Sequence, residues 1–232
     1  MKDTRHPHYA RHRFPAEVTS YAMWLYFLFP LSLRMVEEML AARGLLVSHE
    51  TVRQWALKFG QSFANQIRRR LPAPRDKWHL DEVVISIAGQ KHWLWRAVDQ
   101  TGIVPDILVQ SRRNAKATKR LLRKLLKKQG SAPRVMITDK LASYGAAKRE
   151  IMPGVEHRQH RGLNNRAENS PKPTRRRERF KSAGQAQRFL SVHDQVANLF
   201  RRPANTDAAD HRRSRAQAFQ DWTEVTGAAA GF

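Results

Sequence analysis

Apolar positions recur at helical spacing from Val18 to about Leu71, and then break from Lys77 onward into short stretches with strand character. In the first part, Leu33, Val36, Met39 and Leu40 line one predicted helix that ends near Arg43-Gly44. Ser48 is placed to cap a second, with Glu50 in its first turn and Val52, Trp55, Ala56 and Phe59 at core spacing; Gly60 is expected to close it. Two short helices joined by a Gly-containing turn predict a helix-turn-helix. Three strands are then expected, Trp78 to Ile85, Trp93 to Val98 and Val104 to Val109, separated by turn signals at Ala88-Gly89 and Asp99-Gln100-Thr101-Gly102. Asn114 to Gln129 reads as an amphipathic helix with Leu121, Leu122, Leu125 and Leu126 on one face and Gly130 after its end. Arg134 to Thr138 is a fourth strand, and it runs into Asp139. Pro72-Ala73-Pro74 divides the helical part from the α/β part. The expected organisation is a basic arm over 1–17, a helical domain over 18–71, an α/β domain over 77–200 and a weakly structured tail over 201–232.

Charge narrows the partners. Of 232 residues, 43 are Lys or Arg and 20 are Asp or Glu, a formal net charge of +23. Such an excess calls for a polyanion, nucleic acid first among them. No cysteine is present, which excludes disulfides, zinc–thiolate sites, Fe–S clusters and a Cys nucleophile. The longest apolar run, Tyr21 to Phe29, ends at Pro30, far short of the roughly 18 residues a membrane span needs, so no membrane partner is expected. On the second predicted helix, His49, Arg53, Gln54 and Lys58 form a polar face that would enter the major groove of DNA. The plainer alternative is a helical hairpin packed on another part of the chain.

Two acids stand where acids are rare. Asp81 interrupts an apolar strand and Asp139 ends another, positions that carboxylates occupy mainly when paired, catalytic or bound to metal. Neighbouring strands of an α/β sheet can bring them together. Mg²⁺ relieves their repulsion, and two such ions about 4 Å apart suit phosphodiester chemistry. Strand alternation turns Glu82 to the opposite face, and Asp99 belongs to a turn. Glycoside hydrolysis also uses two carboxylates, but it gives no reason for the positive charge. A third ligand is available at Glu168, in Asn164-Asn165-Arg166-Ala167-Glu168-Asn169, and Arg175 lies two helical turns further on.

At this point the sequence resembles a known family, the short DDE transposases of insertion sequences, most closely the insertion-sequence-six family. The stretches that carry the resemblance are Trp78-His79-Leu80-Asp81-Glu82, Leu94-Trp95-Arg96-Ala97-Val98-Asp99, Ser111-Arg112-Arg113-Asn114-Ala115-Lys116-Ala117, Ile137-Thr138-Asp139-Lys140, Glu156-His157-Arg158-Gln159 and Asn164 to Ser170. They occur in family order across roughly residues 15 to 200. The resemblance implies an RNase H-like mixed-sheet catalytic domain behind a helix-turn-helix domain, and Mg²⁺-dependent cleavage and strand transfer at terminal inverted repeats. Asp81, Asp139 and Glu168 would be the metal-binding triad, with two ions and Mn²⁺ as a substitute. Arg175 and Lys140 would contact DNA. Double-stranded DNA, a second copy of the chain and a cytoplasmic, nucleoid-associated setting follow from the same likeness.

The chain departs from the family pattern at Pro171, where members usually carry His, in a shorter Asp139-to-Glu168 interval, and in about four residues missing after Arg179. These departures define one alternative, a decayed copy that binds DNA without cutting it. Another is a helix-turn-helix regulator with an unrelated α/β domain.

Overall fold

The computed structural model describes Tyr9 and residues 13–73, 76–159, 180–202 and 206–228. The chain forms two compact units, Met1–Pro72 with Gln195–Phe232, and Ala73–Asp194.

The second unit is built on a five-stranded sheet. Its strands are β1 (Lys77–Ile87), β2 (Gln90–Asp99), β3 (Ile107–Gln110), β4 (Val135–Thr138) and β5 (Glu156–Gln159), in the order β3-β2-β1-β4-β5. β1, β2 and β3 run antiparallel as a meander, while β4 and β5 are parallel to β1. This is a mixed sheet, as the sequence leads one to expect. The β1–β2 hairpin closes through Ala88 and Gly89, both with positive φ (49° and 77°), as a two-residue turn matched to strand twist requires. Helix α4 (Ala115–Gln129) is capped by Asn114, whose side chain accepts from the Ala117 N–H, and ends at Gly130 in the left-handed conformation. Helix α5 (Ala142–Ile151) follows β4. Trp78, Leu80, Trp95, Ala97 and Met136 from one sheet face form a core with Leu121, Leu122 and Leu125 of α4 and Tyr144 and Ala147 of α5. The sequence expectation did not include β5, because Glu156, Arg158 and Gln159 are exposed and carry no apolar alternation.

The helical unit contains α1 (Ala16–Leu28), α2 (Leu33–Ala41), α3 (His49–Arg70) and α7 (Ala208–Thr226); α6 (Ala183–Leu199) begins in the sheet unit and ends in this one. Ser48 caps α3 by accepting from the Thr51 N–H, as its sequence position predicts. Gly60, however, does not end that helix. It is buried inside it, where Phe59, Phe63 and Ile67 continue the apolar stripe for three further turns. Met39, expected in the core of α2, is exposed, and Val36 and Leu40 alone of that helix are buried.

The expectation of a weakly structured tail is corrected. Asp207 caps α7, Gly227 closes it, and Ala218, Trp222 and Val225 are buried at helical spacing. Trp222 packs edge-on against Phe63 of α3, and Phe219 lies against Trp24 of α1. The helix therefore completes the core of the N-terminal helices rather than trailing from the sheet unit. Two aromatics of the expected basic arm pack there too, Tyr9 on Phe59 and Phe14 on Trp55.

Candidate active site

The acid pair follows from the register of two parallel strands. Lys77, Trp78 and His79 of β1 stand beside Val135, Met136 and Ile137 of β4. Asp81 comes two residues after His79, within β1, and Asp139 two residues after Ile137, just past the end of β4. Alternation puts Asp81 on the sheet face opposite the Trp78, Leu80 and Met136 core. Asp81 is half-buried, and the Asp139 side chain is 31% exposed. One Asp139 oxygen, Oδ1, accepts the Leu141 N–H at 3.0 Å, which fixes the carboxylate just past the end of β4.

Behind the pair lies a polar network. Glu82, facing away from Asp81, is buried against the α4–α5 side of the sheet. Its Oε2 accepts the Tyr144 hydroxyl at 2.6 Å, and its Oε1 accepts two N–H groups of Arg113, that of Nε at 2.7 Å. The same guanidinium reaches Asp139 Oδ2 at 3.6 Å and covers the Trp93 ring at 5.1 Å. Burial raises the Glu82 carboxyl above its ordinary range, against the pull of the Tyr144 and Arg113 hydrogen bonds, and the Asp139 charge adds to the rise. Burial likewise pushes the Tyr144 phenol well up, with Glu82, Asp81 and Asp139 all contributing. All three carboxylates thus act on one hydroxyl. On the strand's other side, Arg96 stands opposite Asp81 in the β1–β2 ladder and forms a buried ion pair with Asp194 of α6 at 2.8 Å.

Asp81 lies in β1 and Asp139 just past the end of its parallel neighbour β4, and Lys140, next in sequence, is exposed. Glu168, Arg175 and Pro171 lie outside the described residues. Among the described residues no cluster of three or more His, Cys, Asp or Glu side chains is arranged to hold a metal ion. The two aspartates nonetheless fit a hard dication: they are oxygen donors delivered by neighbouring parallel strands, with one oxygen of Asp139 already held by a backbone N–H. Sequence reasoning missed Arg113 and Tyr144 and set Glu82 aside. The available signal was an acid adjacent to Asp81 within an apolar strand, since a buried carboxylate needs a partner.

The predicted DNA-reading residues sit on the first half of α3. Arg53, Gln54 and Lys58 are exposed, with Leu57 exposed among them, and His49 is half-buried. His49 Nδ1 lies 2.9 Å from Glu37 Oε2 of α2, joining the two helices. Glu50 holds both oxygens toward its own helix, accepting from Arg53 Nε at 2.8 Å and Gln54 Nε2 at 2.9 Å. The Arg53 and Gln54 hydrogen bonds lower its carboxyl to about 2.

Residues 75–203 match the profile of a family described as a DDE domain, that of IS240-type transposases. Among curated proteins, the chain is 26% identical over 196 residues to the transposase for insertion sequence element IS257 in transposon Tn4003 of Staphylococcus aureus, covering 82% of this chain and 87% of that one. It is equally similar to the transposase for insertion sequence-like element IS431mec of S. aureus strain Mu50, with the same coverage. Of solved structures, the magnesium complex of the HTLV-2 integrase catalytic core in its trimeric form aligns with a TM-score of 0.35 and 19% identity, over 43% of this chain and 68% of that one. A simian T-cell lymphotropic virus intasome with a PP2A regulatory subunit aligns with a TM-score of 0.35 and 16% identity, over 66% of this chain and 50% of that one. A family match across more than half of the sequence, with relatives that cover most of the rest, makes the chain a member of the insertion-sequence DDE transposases, metal-dependent enzymes of DNA transposition.

Proposed function

We propose that this chain binds the terminal inverted repeats of its own mobile element and catalyses their cleavage and transfer to target DNA. The observation that carries the reading is the placement of Asp81 within β1 and of Asp139 just past the end of its parallel neighbour β4. Glu168 is the third acid of this reading. Asp81, Asp139 and Glu168 would hold Mg²⁺, as two ions with Mn²⁺ able to replace them. Metal held there would supply activation of the attacking water or 3′-hydroxyl and stabilisation of the leaving oxygen of the phosphodiester. The protein's own part is to keep the carboxylates aimed and ionised. The Leu141 N–H fixes Asp139, and the buried Arg96–Asp194 pair anchors β2 opposite Asp81.

Specific binding is assigned to α2 and α3 as a helix-turn-helix, with His49, Arg53, Gln54 and Lys58 facing the major groove. Arg175 and Lys140 would meet phosphates near the reacting bond. The net charge of +23 supports a long phosphate track. Synapsis of two element ends calls for at least two copies of the chain. No helix among the described residues is long and apolar enough to cross a membrane, and action at the nucleoid in the cytoplasm is part of the same reading.

The test is cleavage and strand transfer on a labelled duplex carrying the element's ends, in Mg²⁺, beside Asp139→Asn. Product that disappears in the variant is the expected result. End binding without product would instead identify a copy impaired in chemistry and direct attention to Pro171. Absence of end-specific binding would overturn the assignment of α3.

A further inference from the structure

The guanidinium of Arg113 is shared unequally between two carboxylates. Glu82 Oε1 takes two of its N–H groups within hydrogen-bond range, whereas Asp139 Oδ2 stands at 3.6 Å, an ion pair without a hydrogen bond. The Glu82 side chain is 1% exposed and the Arg113 side chain 36%. A carboxylate so deeply buried has to keep its counter-ion, while Arg113, half open to water, could satisfy either acid. Tyr144 completes the hold: its hydroxyl donates to Glu82 Oε2 from the helix behind the sheet, leaving Oε1 directed at Arg113. The Trp93 ring beneath the guanidinium limits its swing on the other side.

We infer that Glu82 is a positioning residue that restrains Arg113, so that the arginine tempers the charge of Asp139 without occupying the oxygen that would receive the metal. This rests on the reading of Asp81 and Asp139 as metal ligands. Were Glu82 neutral, the guanidinium would lean fully onto Asp139 and compete with a dication there. Were Arg113 neutral, that competing charge would be gone and the acid pair would attract the ion more strongly. The two substitutions therefore act in opposite directions on metal affinity. Loss of packing would move both the same way.

The experiment is Mn²⁺ binding to the full-length protein by isothermal titration and by the free-Mn²⁺ EPR signal, for wild type, Glu82→Gln, Arg113→Gln and the double variant. A unit charge about 5 Å from a dication, screened as fully as in bulk water, changes affinity roughly ten- to twentyfold. Glu82→Gln is expected to weaken Mn²⁺ binding by about that factor, Arg113→Gln to strengthen it, and the double variant to return close to wild type. Arg113→Gln leaves Glu82 buried without its cation. Should it fail to fold, the double variant and Arg113→Lys carry the comparison: Lys keeps the charge but loses the paired N–H contact, and should bind Mn²⁺ less tightly than wild type. Metal affinity that stays the same, or falls in both the Glu82 and Arg113 variants, would overturn the inference. Asp139→Asn separates it from the underlying reading, because wild-type binding that survives this substitution would refute the metal site itself.

Discussion

If α7 completes the core of the helical unit, truncating Trp222 must loosen α3, the helix assigned to DNA reading. Trp222 is 3% exposed, packs edge-on on Phe63 with ring centroids 5.7 Å apart, and lies 6.2 Å from Phe200. Removing a buried indole to Ala costs about 3–5 kcal/mol. The polar ties between α7 and the N-terminal helices cannot replace it. Arg70–Glu224 is an exposed ion pair worth at most about 1 kcal/mol, and the buried Ser20–Thr226 hydroxyl contact adds a similar amount. Trp222→Phe should be far milder: the indole N–H is buried with no hydrogen-bond partner among the described residues, so Phe removes an unsatisfied donor while keeping a ring on Phe63. Because the chain has two units, a single melting temperature would blur the effect. Peptide-resolved hydrogen exchange separates them. In Trp222→Ala the α3 amides should exchange roughly a hundred- to several-thousand-fold faster, while those of β1 and β2 keep their protection. Unchanged protection across α3 in Trp222→Ala would refute the reasoning and return residues 201–232 to the status of an independent tail.

Three other outcomes are expected. Asp194→Ala leaves Arg96 as a buried unpaired cation and should destabilise the sheet unit by about 3–5 kcal/mol in urea unfolding; Arg96→Met with Asp194→Leu should recover most of that loss. The Glu50 carboxyl, followed by carbon NMR, should titrate near 2 and rise toward the ordinary carboxylate value in Arg53→Gln. Since its folded pKa is depressed, whatever stability it contributes is present above about 4.5 and disappears as pH falls toward 2. Ala88 holds a φ of 49° at the hairpin, so Ala88→Gly should relieve about 1 kcal/mol of strain and raise the unfolding midpoint; a lower midpoint would mean the turn is not strained.

Much of the fold was legible because its elements announce themselves locally. Ala88-Gly89, Asn114, Gly130 and Ser48 each act within a few residues of where they sit, and each occupies the turn or cap that its chemistry indicates. Asp99 likewise turns the chain as expected, its carboxylate accepting from Thr101 N–H and Ile103 N–H. What escaped depends on distant partners. Gly60 resembles a helix stop until Phe59 and Phe63 are seen to need one continuous helix. Ala218, Trp222 and Val225 are spaced for burial, but Arg, Asp and Gln between them dilute the pattern, and the surface they cover lies some 150 residues earlier. β5 has no apolar signature at all, and only its parallel ladder with β4 makes it a strand.

The acid site illustrates the same division within two adjacent residues. Asp81 and Glu82 are chemically alike and neighbours in sequence, and strand alternation alone sends one to the open sheet face and the other into the core against α4 and α5. That single parity decides their fates. Asp81 stands on the strand beside the one that delivers Asp139, and two half-buried like charges on neighbouring strands suit a dication. Glu82, with its side chain at 1% exposure, must recruit Arg113 and Tyr144 to remain charged. Parity was readable from the sequence, but its consequence was not, because Arg113 comes from the segment after β3 and Tyr144 from α5. A shift of β1 by one residue would exchange the two acids, turning Glu82 to the open face and Asp81 into the core. The hydrophobic residues Trp78 and Leu80, locked into the core by the same alternation, prevent that slip. The register that packs the sheet therefore also selects which carboxylate is left on the open face, where the proposed metal site needs it.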